Sequence, residues 1–158
     1  MSARSVALDD LGYELRLLAG ADEIVRFMEA QDAFGNLVNY FKDSVYLHAR
    51  NLLNALTNGY ETEIGTIPST ISSATYGKVK DPLERYVMHT NKARDQRGVS
   101  NVRAGKHLNE YVHELTAEAK RCWNDWTAAT GDRRLTELMQ SAEKQAQDDL
   151  AQLRGLLK

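Results

Sequence analysis

Apolar residues return at three- and four-residue steps along most of this chain, the period of a helix that buries one face. Leu8, Leu11, Leu15 and Leu18 begin the pattern. Gly20 interrupts it, and Ile24, Val25, Phe27 and Met28 resume it in a second segment that Asp22 is placed to cap. Phe34, Leu37, Val38, Phe41, Val45, Leu52 and Leu56 make the next stripe, which Asn58-Gly59 stops. From Gly59 to Lys80 the helical period is lost and Gly, Pro, Ser and Thr dominate, so a long loop is expected, with a short hairpin around Thr62–Ile67. Asp81-Pro82 opens a further helix carrying Leu83, Tyr86, Val87 and Thr90, which frays near Arg97-Gly98. From about Val102 or Lys106, Leu108, Val112, Leu115, Ala119, Cys122 and Trp126 define another helix, ended by Thr130-Gly131-Asp132. Leu135, Leu138, Ala142, Ala146, Leu150, Leu153 and Leu157 form a last, narrow seam, and its other faces are strongly polar.

The pattern predicts an all-α fold. Residues 1–131 are expected to form a bundle of about five helices with a long loop at 59–80. Residues 132–158 are expected to add an amphipathic helix that packs on the body or against its copy in a dimer.

The 158 residues suit one domain, which usually runs about 100–200 residues. Cys122 is the single cysteine, so no internal disulfide is available. Asp9, Asp10, Glu14, Asp22 and Glu23 break up the first thirty residues against a secretion signal. No apolar run approaches the roughly 18 residues of a membrane span. A cytoplasmic protein without membrane partners is the expectation. The net charge of −2 argues against constitutive nucleic-acid binding, yet its distribution is uneven. Lys78, Lys80, Arg85, Lys92, Arg94, Arg97, Arg103 and Lys106 face only Asp81, Glu84 and Asp95 in the same stretch. Such a region attracts phosphate even on an acidic protein.

Chemistry concentrates on the third stripe and the helix after the loop. His48 lies on the apolar stripe between Val45 and Leu52. Beside it Asn39, Asp43, Arg50 and Asn54 recur at steps of four, seven and four, with Asn51 one turn from His48. Arg50 is expected to share a charge pair with Asp43, bridged from another helix, because partly buried charges need partners. The following helix offers His89, flanked by Arg85 and Arg94. Were the two helices to pack together, His48, Arg50, Asn51, His89 and Arg94 would converge, with Asn39, Asp43, Asn54 and Arg85 around them. Imidazoles that exchange protons near neutral pH and guanidiniums that stabilise phosphorane charge suit a phosphodiester. That chemistry needs no cofactor and no metal. Gly-rich phosphate loops, H-E-x-x-H, zinc spacings and G-x-S-x-G are all missing from the sequence. His107 and His113 fall on different helix faces and are expected to be solvated, Trp123 and Trp126 to anchor packing, and Cys122 to be inert.

The run Asn39, then Asp43-Ser44-Val45-Tyr46-Leu47-His48-Ala49-Arg50-Asn51-Leu52, resembles an N-x3-E-S-F-L-x-H-A-R-N-L pattern of a family of uncharacterised bacterial all-helical proteins. Leu83 to Arg94 is similar to that family's second block, I-x-K-x-x-A-H-(L/I)-x-x-x-R, and the early Tyr13-Glu14-Leu15 also agrees. The family in turn resembles HEPN-type bundles, which include ribonucleases of toxin–antitoxin, abortive-infection and CRISPR systems. The chain departs from the signature of those ribonucleases: Leu52-Leu53-Asn54-Ala55-Leu56 follows Arg50-Asn51 without a histidine. His89 would have to substitute. The resemblance implies a HEPN-like interaction module that dimerises or docks on a partner through the C-terminal helix, in a bacterial or phage defence or toxin–antitoxin setting. Two alternatives stand beside it: a metal-independent ribonuclease or RNA/nucleotide binder using the His/Arg site, and a purely structural scaffold.

Overall fold

Burial of the first leucine stripe organises the chain. In the computed structural model, which describes residues 4–84 and 108–158, Leu8, Leu11, Leu15, Leu18, Val25 and Met28 lie on one inward face of a single helix, α1 (Leu8–Gln31). The two segments expected around Gly20 are therefore one. A mid-helix glycine costs about 1 kcal/mol relative to alanine, while burying each leucine contributes roughly 1.5–3 kcal/mol. The apolar stripe resumes in phase beyond Gly20, so packing outweighs the break. Asp22 caps nothing. It sits buried in the fifth turn of the helix, accepting from Arg26 Nε at 3.0 Å.

α2 (Leu37–Thr57) ends where Asn58-Gly59 was expected to stop it, with Gly59 at φ +63°. The loop that follows contains the expected hairpin, β1 (Glu61–Thr62) against β2 (Gly65–Thr66), antiparallel with Glu61 opposite Thr66. The hairpin has a task. α1 starts after Ala7, which has no capping side chain, and the Glu63 carboxylate accepts instead from the Leu8 N–H at 2.8 Å. An anion at that position also complements the helix dipole.

The loop is shorter than expected. α3 (Ala74–Leu83) begins before Asp81-Pro82, with the Ser73 hydroxyl capping it by accepting from Tyr76 N. Tyr76, Val79 and Leu83 are its buried face. Pro82 consequently lies near the end of α3, where its missing N–H removes one intrahelical bond. The continuation expected through Arg97, and a start near Val102 or Lys106, lie outside the described residues. A 3-10 turn, Leu108–Tyr111, leads into α4 (Val112–Thr130), which closes on Gly131 at φ +65°. Asp132 caps α5 (Arg133–Leu156) by accepting from Arg134 N at 2.9 Å.

The described residues thus hold five α-helices and one small hairpin, an all-α bundle. α1 and α2 run antiparallel, as the pairs Glu14–His48 and Glu29–Lys42 show. α5 lies along α1 in the same direction: Leu138 meets Gly12, Asp149 meets Gly20, and the Arg154 guanidinium covers the Phe27 ring at 5.6 Å. Its apolar seam of Leu135, Met139, Ala142, Ala146 and Leu150 is buried within the chain. Trp123 and Trp126 pack edge to face, ring centres 5.4 Å apart, and the Trp123 indole N–H donates to Leu135 O, tying α4 to α5. No helix among the described residues is long and apolar enough to cross a membrane.

A Cβ on Gly12 would stand 2.9 Å from Leu138 Cδ2. Gly12→Val is expected to destabilise the bundle by about 1–3 kcal/mol, the usual cost of overpacking, read as a lower Tm by circular dichroism. Leu138→Ala in the same chain should recover part of that loss; equal or greater loss in the double variant would show that α5 does not interlock with α1 here.

Candidate functional site

The polar strip of α2 is built into a network by carboxylates from two other helices. Glu14, on α1, falls between the inward Leu11 and Leu18 and so meets α2 where His48 replaces an apolar residue. Its Oε2 lies 2.6 Å from His48 Nδ1, and its Oε1 accepts from Asn51 Nδ2 at 3.3 Å. Asn51 Oδ1 in turn accepts from Arg50 Nη1 at 3.1 Å, and Arg50 Nε donates to Glu84 Oε1 at 2.8 Å, just past the end of α3. Glu84 reaches that place because α3 is pinned at its other end: Ser73 and Thr75 donate to Glu118 and Glu114 of α4. The Glu118 carboxyl is held below the usual range, chiefly by its hydrogen bond from Arg121 and also by that from Ser73.

His48, Arg50 and Asn51 therefore meet, as their spacing implied, but through partners the strip did not show. Arg50 pairs with Glu84 and not with Asp43, because α3 brings its carboxylate across. Asp43 lies half-buried further up α2. Asn39 is exposed in the first turn of α2, about 16 Å along the axis from Arg50 at 1.5 Å per residue, and belongs to no common site with it. Asn54 turns the other way and donates to the Tyr60 hydroxyl at 2.9 Å, anchoring the hairpin loop. His89, Arg94 and Arg85 lie outside the described residues, as does His107. His113, expected to be solvated, is held between two carboxylates of α1 instead. Trp123, Trp126 and Cys122 are buried as expected, and burial pushes the Cys122 thiol up to about 11, which keeps it protonated.

Two chemical features stand out. Glu14 accepts at Nδ1 of His48, which fixes Nδ1 as the protonated nitrogen of a neutral ring and leaves Nε2 as the acceptor. Among the described residues Nε2 has no hydrogen-bond partner. The Tyr13 ring stands edge-on to this imidazole, centres 6.3 Å apart. The second feature is Tyr76, whose hydroxyl is buried with no hydrogen-bond partner among the described residues. Burial pushes its phenol up, the positive Arg50 partly offsets this, and Glu84 and Tyr60 add to the rise. The signal for Glu14 was present in the sequence, as a lone carboxylate on an apolar face. Tyr76 had none, since residues 59–80 read as loop, and Glu84 fell on the helix expected from Asp81-Pro82 with nothing to mark it as the partner of Arg50.

Among the described residues no group of histidine, cysteine and carboxylate side chains is arranged to hold a metal. Comparison with family models, with curated proteins and with solved structures finds no match to this chain.

An unpaired buried hydroxyl costs about 1–3 kcal/mol. Tyr76→Phe should therefore raise Tm, by roughly 2–4 °C per kcal/mol recovered. The raised phenol also predicts a pH effect. Its neutral form is stabilised in the fold, so that stability is complete below the ordinary tyrosine range and lost as pH rises through it. Part of the alkaline fall in wild-type stability above about pH 10 should vanish in Tyr76→Phe. Identical alkaline profiles would place Tyr76 in a wetter environment than its burial indicates.

Proposed function

We propose that the chain is a helical interaction module that associates with a second copy of itself, in a cytoplasmic bacterial or phage defence or toxin–antitoxin setting of the kind its sequence resemblance implies. The supporting observation is where large apolar side chains remain in solvent. Leu37, Tyr40 and Leu47 step by three and seven along the outward face of α2, with Tyr40 71% exposed. At the end of α5, Leu156 is 75% exposed and Leu157 about half. Arg154 lies over Phe27, and Phe27 meets Phe34, so the last turn of α5 reaches the corner from which α2 starts. Isolated exposed leucines are ordinary, but a run on one helix face with a second group near its start marks an interaction surface. The C-terminal helix would contribute its final turn, since its seam is already covered by α1.

This reading predicts that the wild type is a dimer in sedimentation velocity at micromolar concentration. Leu37→Ser with Tyr40→Ser should be a monomer of unchanged Tm, because both side chains are exposed. A wild type that stays monomeric overturns self-association.

A second reading is favoured by Nε2 of His48, which has no hydrogen-bond partner among the described residues. In this reading that nitrogen would take a proton from an RNA 2′-hydroxyl, whose oxygen would attack the adjacent phosphorus and expel the 5′-oxygen. Arg50 would offer its remaining N–H groups to the phosphate, and His89 would supply the leaving group's proton. Incubation with RNA in EDTA tests this. Cleavage should occur, and Glu14→Gln and His48→Ala should each lower it roughly a hundredfold or more. Unchanged cleavage in both variants would remove His48 from the chemistry.

A further inference from the structure

We propose that His113 is a proton-operated latch that fastens the start of α4 to α1. The ring lies between two carboxylates two turns apart on α1, with Nδ1 2.6 Å from Asp22 Oδ1 and Nε2 2.8 Å from Glu29 Oε1. Both contacts are hydrogen bonds only when both nitrogens carry protons, which is the imidazolium form. The same groups face other cations. Asp22 Oδ2 accepts from Arg26 on α1, and Glu29 Oε2 stands 3.8 Å from Lys42 on α2. The cluster thus joins α1, α2 and α4. A cation near the N-terminus of α4 is opposed by the helix dipole, an effect confined to the first turn and smaller than two charge-assisted hydrogen bonds.

Loss of one proton has a directed outcome. The neutral ring keeps one N–H and turns a lone pair toward the other carboxylate. Asp22 is buried, its side chain 6% exposed, and needs a donor; Glu29 is 43% exposed and can be rehydrated. The neutral ring therefore keeps Asp22, and the Glu29 side opens. The latch is closed while both ring nitrogens carry protons and loosens when one of them is lost.

The test is amide hydrogen exchange at residues 112–117, corrected for intrinsic rates, between pH 5.5 and 8. In the wild type, protection should fall roughly tenfold across that range, as expected for one lost charge-assisted hydrogen bond. His113→Gln should show low protection with a flat profile. Glu29→Gln changes an exposed position and should fold in any case. Its amide can accept from the charged ring or donate to the neutral one, so its profile should also be flat. Nitrogen NMR of His113 should show both ring nitrogens protonated at pH 5.5. A wild-type profile matched by either variant, or a singly protonated ring at pH 5.5, overturns the proposal.

Discussion

α1 is covered by α2, α4 and α5, and that burial obliges its inward carboxylates to find partners. Gly12, Ala19, Gly20 and Ala21 keep its surface low enough for α5 to lie close, and Leu138 fills the place where a Gly12 side chain would stand. Glu14 and Asp22 sit on or beside the same inward surface. A carboxylate in such a place is tolerated only with donors around it. Each finds an imidazole from a different helix, His48 from α2 and His113 from α4. The polar clusters of the bundle are consequences of packing this one helix on three sides.

The two imidazoles illustrate how one chemical pair leads to different behaviour. Among the described residues His48 is hydrogen-bonded at Nδ1 alone, to Glu14. His113 is held at both nitrogens, so its protonation state decides how many bonds it makes. Arg50, by contrast, has its charge already opposed by Glu84. That pair is about one-third exposed on the arginine side and contributes on the order of 0.2–1 kcal/mol, so an incoming anion could compete for the guanidinium at small cost.

Local patterns were read well where one helix stood alone. α2, α4 and α5 are marked by unbroken periodicity and by the stop signals Asn58-Gly59 and Thr130-Gly131, and the hairpin by its turn residues. α3 escaped because Ser72, Ser73, Thr75 and Gly77 look like loop, while only Tyr76, Val79 and Leu83 carry its buried face. The break expected at Gly20 failed for the opposite reason: a local preference of about 1 kcal/mol cannot compete with a stripe that packs on both sides of it. At the site, His48, Arg50 and Asn51 were visible from their spacing on one helix, whereas Glu84 was not, since its pairing depends on where α3 begins and what pins it.

By itself, then, the order of residues determined the helical class, the long helices and their ends, and the polar strip of α2. These depend on contacts within a few residues, which spacing and turn chemistry report directly. Only the tertiary structure decided which carboxylate meets which cation, that α5 runs alongside α1, and that His113, still partly exposed, is held by two carboxylates. Those outcomes depend on how far each helix is rotated and shifted against its neighbour. Side chains tens of residues apart interlock to set that rotation, and no local period records it.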